Sequence, residues 1–204
     1  MPKIKRNIVD IKTSATLAIN ELSQQLEKNG KEIFKFGLGQ SPFPIPQIIV
    51  EELKKYAQQK NYINVSGLIE LRDQVAQYHL IKNKNNYTAD NDIIGPGSKE
   101  LIFQTQLVLD CEVLLPNPSW VSYEPQAQIL NKKIHWIKTE KTSNWHITPD
   151  ELNKICQKLY NVDKLLILNS PNNPSGTTHN NLESLAAIIK KTTITMLINA
   201  IISL

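Results

Sequence analysis

Four consecutive apolar residues, Leu165 to Leu168, stop abruptly at Asn-Ser-Pro-Asn-Asn-Pro-Ser-Gly, Asn169 to Gly176. So short an apolar run bounded by turn formers predicts a strand buried on both faces, because neither face offers a polar side to water. The two prolines and the glycine that follow prevent the strand from continuing and force a sharp turn. The pattern recurs along the chain. Strands are expected at Glu112–Leu115, Lys133–Ile137 and Ile194–Ile198. Helices are expected at Lys99–Leu109, Tyr123–Leu130, from Thr148-Pro149-Asp150-Glu151 onward, and at Asn181–Lys191. Upstream, the spacing predicts helices over Ser14–Lys28, Pro46–Gln59 and Gly67–Lys82, with short strands at Glu32–Gly37 and Asp92–Ile94. Ser41–Pro46, with three prolines, suits neither helix nor central strand. Strands separated by helical crossovers imply an α/β fold: a mainly parallel sheet with helices on both faces. Ligands on such sheets bind at the carboxyl ends of strands, where the special turns of this chain stand.

Composition narrows the class. At roughly 150 residues per domain, 204 residues make one domain with part of another. Apolar residues at 41% and charged residues at 21% suit a globular chain rather than a disordered one. The net charge of +4 is mild and the lysines are scattered, so neither nucleic acid nor a membrane surface is expected as a partner. The longest apolar-rich stretch, Thr192–Leu204, is too short to span a bilayer, and no secretion signal is expected. Cys111 and Cys156 stand far apart with no metal spacing, which fits a reducing cytoplasm. Of 23 basic residues, only Arg6 and Arg72 carry a guanidinium able to grip an anion with two bonds.

Three turns could carry chemistry. In Gly95-Pro-Gly-Ser-Lys-Glu100, glycines let the backbone approach a ligand, and Ser98 is expected to cap a helix whose free N–H groups suit a phosphate. The same residues also suit a plain tight turn. In the 169–176 loop, Asn173 before Pro174 is held out of helical conformation, with its neutral amide aimed at the strand ends. In Pro116-Asn-Pro-Ser-Trp120, the indole could stack on a flat ring or simply pack. Tyr62, before the Ser66-Gly67 turn, reads equally as a surface tyrosine. His79, His135, His146 and His179 show no ligand spacing, so no metal is expected. Ser170 and Ser175 lack a nucleophile-elbow frame. The strand ending Leu115-Pro116-Asn117 has no terminal acid for a ribose, which disfavours a dinucleotide.

Taken in order, these segments resemble the pyridoxal-phosphate-dependent aminotransferases of class I/II, fold type I. The resemblance runs from about residue 13 to residue 199 and rests on Gly37–Pro46, Tyr62 with Gly67–Arg72, Gly95–Glu100, Pro118–Tyr123 and Ser170–Gly176. It implies an incomplete fold type I large domain over residues 37–204, preceded by a helix-and-strand segment over 1–36. It implies that Gly97, Ser98 and Lys99 help hold the cofactor phosphate, that Trp120 stacks on the pyridine ring, and that Asn173 donates to the ring's phenolic oxygen. It implies that Gly39 offers a backbone N–H to the substrate carboxylate. Tyr62 would reach the phosphate of a neighbouring subunit, which makes a homodimer the expected assembly. Arg72 aligns with an arginine read as structural.

The same resemblance exposes departures. The ring-nitrogen aspartate and the tyrosine three residues beyond it align with Ala200 and Ser203. The Schiff-base lysine and the substrate-carboxylate arginine have no counterpart, and Lys190 and Lys191 come too early. No catalytic residue is therefore assigned. The expected activity, amino transfer between an amino acid and a 2-oxo acid, belongs to the intact family, whereas this N-terminal half is expected to be inactive alone. The alternatives are a non-catalytic module that binds a phosphate-bearing ligand or dimerises, and a decayed remnant.

Overall fold

The computed structural model describes residues 3–37, 39 and 41–200. They fall into two compact units, one of Lys12–Gly95 and one of the residues up to Ile11 together with those from Pro96 onward. Helix α1 (Arg6–Val9) belongs to the latter unit. The side chain of Asn7 fixes it there by donating to the carbonyls of Gln128 (2.9 Å) and Ile129 (3.0 Å).

The Lys12–Gly95 unit carries α2 (Ala15–Lys28), α3 (Gln47–Tyr56) and α4 (Ile69–Asn83), close to the helices expected from the sequence. Pro46 stands at the N-cap of α3, where its missing N–H leaves no intrahelical bond unmade. On α4, Arg72 is buried and structural. Its guanidinium donates to the carbonyls of Ala89 (3.0 and 2.5 Å) and Asp92 (3.0 Å), with the Asp90 carboxylate 3.5 Å away. Gly67 has φ +102°, and an added Cβ would lie 2.6 Å from Cβ of Ile94. Only glycine allows this approach, which lets the Ile94 N–H donate to Ser66 O at 2.9 Å.

That bond explains one correction. Asp92–Ile94 is not a strand: it follows a 3₁₀ turn at Ala89–Asn91 and pairs with the Ser66 turn rather than with a neighbouring strand. Glu32–Gly37 is likewise irregular. Phe34 and Phe36 are exposed, and no backbone ladder partner reaches the segment among the described residues. An apolar stretch becomes a strand only where another strand accepts its hydrogen bonds.

The other unit holds α5 (Ser98–Val108), β1 (Glu112–Asn117), α6 (Tyr123–Ile129), β2 (Ile134–Lys138), α7 (Pro149–Lys158), β3 (Lys164–Asn169), α8 (Leu182–Ile189) and β4 (Ile194–Asn199). The sheet order is β2-β1-β3-β4 and every pairing is parallel. All six residues of β3 are buried, as the apolar run requires. Alternate side chains face opposite ways. Leu114, Leu166 and Leu168 pack with Leu152, Cys156 and Leu185 of α7 and α8. Val113, Leu115, Leu165 and Ile167 pack with Ile102, Tyr123 and Ala127 of α5 and α6. Each fully buried leucine or isoleucine contributes about 1.5–3 kcal/mol, which is why helices must cover both faces. Helix α7 begins as its sequence predicts: Thr148 Oγ1 accepts from Glu151 N at 3.3 Å, with Pro149 in the first turn.

Lys164 opens β3 with a buried side chain. Its ammonium donates to the carbonyls of Leu159 (2.7 Å) and Val162 and to the Thr193 hydroxyl (3.1 Å). Among the described residues no helix is long and apolar enough to cross a membrane.

Two buried imidazoles, His146 before α7 and His179 after β3, stack with ring centroids 4.5 Å apart. Burial, then the neighbouring His146, hold the pKa of His179 below its ordinary 6.5, against an opposing bond from Asn181. The unfolded chain therefore takes up a proton near pH 6.5 that the folded chain resists. The stabilising contribution is complete above that pH and is lost as pH falls below it, toward the depressed folded value. Urea midpoints should be level between about pH 8 and pH 7 and lower by about pH 5.5, with a shallower fall in His179→Asn. A wild-type midpoint constant over this range would contradict the account.

Candidate functional site

Because β1, β3 and β4 run parallel, their carboxyl ends share one edge of the sheet. Asn117, Asn169 and Asn199 are the last residues of these strands, and Asn169 pairs with Asn199 across the β3–β4 ladder. The turns beyond contain cis peptide bonds at Asn117–Pro118, Ser170–Pro171 and Asn173–Pro174.

Asn169 is buried and joins two segments. Its Nδ2 donates to the Asn199 carbonyl (2.7 Å) while its Oδ1 accepts from the Asn173 N–H (2.8 Å). The loop beyond is internally bonded: Gly176 N donates to Asn172 O (2.7 Å), Asn172 N to Thr177 O (2.8 Å), and Asn172 Nδ2 to Ser175 Oγ (2.7 Å). At its far end His179 N donates to Ser170 Oγ (3.1 Å). The Asn173 backbone is thus held while its exposed side chain keeps its donors and acceptor free among the described residues.

From β4 the contacts turn toward the first strand. Asn199 Nδ2 donates to the Tyr123 hydroxyl at 2.9 Å. The fully buried Tyr123 meets the half-buried Trp120 edge to face, with centroids 5.3 Å apart. Burial pushes the Tyr123 phenol pKa up, against the smaller opposing effect of the Asn199 bond, so this hydroxyl stays neutral. The Lys99 ammonium stands 5.2 Å from the centroid of the Trp120 ring. Helix α5 is pinned to α6 by buried amides: Gln106 Nε2 donates to Gln126 Oε1 (3.0 Å), whose own Nε2 donates to Lys99 O (2.7 Å).

The cap of α5 differs from expectation. Gly97, not Ser98, is the N-cap, with φ +110° and no side-chain cap bond. Glycine fits this conformation without strain. The Ser98 hydroxyl, one residue inside the helix, is therefore spared from capping. The N–H groups of Ser98 and Lys99 have no backbone acceptor among the described residues. Two free N–H groups, a hydroxyl, an ammonium and the positive end of an 11-residue helix form a donor set suited to an anion.

The fold thus brings Gly97, Ser98, Lys99, Trp120 and Asn173 to one strand-end edge. Tyr62 and Gly39 belong to the Lys12–Gly95 unit. Tyr62 is fully exposed, and Gly39 is exposed with no atom within 4 Å of an added Cβ. Leu38, Gln40 and Ser203 lie outside the described residues. Sequence reasoning missed three linking residues: Tyr123, Asn169 and Asn199. The available signal was positional, since each asparagine closes a strand and Tyr123 follows Trp120 by three residues.

A family model described as aminotransferase class I and II matches residues 31–201. The chain is 28% identical to an aspartate aminotransferase of Thermotoga maritima over 195 residues, covering 92% of this chain and 51% of that protein. It is 28% identical over 191 residues to an asparagine–oxo-acid transaminase of Streptococcus mutans, covering 90% of this chain and 47% of that protein. The structure of Thermus thermophilus aspartate aminotransferase with maleate superimposes with a TM-score of 0.88 at 25% identity, over 98% of this chain and 54% of that one. The chain spans about half the length of the curated relatives it matches.

Tyr123→Phe removes the acceptor of the Asn199 amide. It should cost about 1 kcal/mol in denaturant melts and change the near-ultraviolet circular dichroism of Trp120. Wild-type values for both would show that the β4-to-Trp120 link carries no weight.

Proposed function

We propose, for a chain that belongs to the aminotransferase class I and II family, that the carboxyl edge of its sheet is part of a pyridoxal-phosphate site serving amino transfer between an amino acid and a 2-oxo acid. The carrying observation is the continuous run of contacts from Lys99 through Trp120, Tyr123, Asn199 and Asn169 to Asn173. It fixes an anion-binding turn, an aromatic face and a neutral amide relative to one another. The donor set fits a phosphate dianion in charge and number. The names of the relatives make aspartate and asparagine the first amino acids to try.

When bound, pyridoxal phosphate supplies an aldehyde and an electron-withdrawing ring for the bonds at the substrate Cα. Gly97 exposes the turn. The Ser98 and Lys99 N–H groups and the Ser98 hydroxyl hold the phosphate, and the Lys99 ammonium neutralises part of its charge. Trp120 covers one ring face and excludes water from it. The Asn173 amide donates to the phenolic oxygen. The family resemblance further assigns Gly39 to the substrate carboxylate, and Tyr62, a fully exposed residue, to the phosphate site of a second copy in a homodimer. The free thiols of Cys111 and Cys156 fit a cytoplasmic setting.

These residues hold the cofactor; they do not move its substrate's proton. Lys190 and Lys191 follow α8 just ahead of β4, and Lys164 opens β3. All three stand at the amino edge of the sheet, opposite the site. With Lys99 assigned to the phosphate, this chain is proposed as a non-catalytic holder of the cofactor.

Titrating the protein with pyridoxal phosphate should give a saturable change in the cofactor's absorbance. Trp120→Ala should weaken binding by about 3- to 10-fold. Mixing the loaded protein with aspartate and 2-oxoglutarate should give no turnover above free cofactor. An absorbance identical to free cofactor at every ratio would reject the cofactor reading, and turnover would reject the holder reading.

A further inference from the structure

The end of β4 adds something that neither the turns nor the family match assigns. Pyridoxal phosphate carries its phenolic oxygen and its phosphate arm on the two ring carbons flanking the aldehyde carbon. The ring nitrogen lies at the opposite pole. With the phosphate at Ser98 and Lys99 and the phenolic oxygen at Asn173, only the aldehyde pole or the nitrogen pole can face the strand ends between them. The aldehyde has to remain open to an incoming amine, so the nitrogen faces the sheet. The side chain standing there, between Tyr123 on one side and the backbone tied to Asn169 on the other, is Asn199. Ala200, aligned by sequence with the ring-nitrogen position, is exposed beyond the strand.

We infer that Asn199 is the group that meets the ring nitrogen, and that its neutral amide leaves this nitrogen unprotonated. The inference rests on the pyridoxal-phosphate reading above. One N–H of Asn199 is committed to the Tyr123 hydroxyl, which leaves the other able to donate to a pyridine lone pair. A pyridinium would need an anion, and among the described residues no carboxylate bonds to Asn199, Tyr123 or Asn169. From α6 the facing titratable group is the neutral Tyr123, and from α5 it is the cationic Lys99. β3 contributes only the amide of Asn169, and the 170–176 loop contains no ionisable side chain. A like charge at Lys99 opposes protonation further.

Cofactor labelled with nitrogen-15 at the ring nitrogen reads this directly. In the wild-type complex the nitrogen resonance should be that of unprotonated pyridine at neutral pH, with a protonation midpoint below that of free cofactor. Asn199→Asp should raise the midpoint by about 1–3 pH units. A wild-type midpoint at or above that of free cofactor overturns the inference while leaving the binding site standing. A resonance identical to free cofactor at saturating protein removes the cofactor reading and the inference with it. If Asn199→Asp fails to fold, the wild-type midpoint alone decides.

Discussion

Parallel pairing of β1, β3 and β4 is the constraint on which the site depends. It follows from burial: every residue of β3 is inside, so both faces must be covered, and helices crossing over the sheet return the chain in the same direction. Parallel direction in turn sends each strand's last residue to one edge. Asn169 and Asn199 become neighbours there, and the loop bearing Asn173 begins beside the strand that reaches Tyr123. In an antiparallel sheet the same turns would fall at opposite edges and form no common site.

Much of this was legible because the sheet's signals are local. The run Leu165–Leu168 and the loop to Gly176 name a buried strand and its stop without reference to anything distant. Likewise, Thr148-Pro149-Asp150-Glu151 declares a helix start through a single cap bond. Where sequence reading failed, the deciding partner was remote. Glu32–Gly37 and Asp92–Ile94 have extended character but no strand to pair with, and pairing is not written in the segment itself. The shift of the cap from Ser98 to Gly97 turns on a backbone angle of +110° that composition alone does not set. The linking residues were hidden for the same reason: Asn199 matters through Tyr123, 76 positions away in sequence.

In the proposed site, the distribution of charge favours holding a ligand. At the carboxyl edge the Lys99 ammonium is poised over an indole face and Lys138, the last residue of β2, pairs with Glu140 at 2.6 Å, whereas Lys164 is consumed by carbonyls and a hydroxyl at the other edge. On the proposed reading, this edge of asparagine amides and backbone N–H groups holds and orients a phosphate-bearing ring. Among the described residues its β4 side offers no anion to draw electrons through that ring. Amides therefore give the proposed site geometry rather than charge.

A crystal structure of the chain grown with pyridoxal phosphate tests the central claim most directly. The account predicts the phosphate within hydrogen-bond distance of the Ser98 and Lys99 N–H groups, and the ring lying against Trp120 with its nitrogen toward Asn199. A cofactor bound elsewhere, or a ring at this edge turned with its nitrogen away from Asn199, would contradict it.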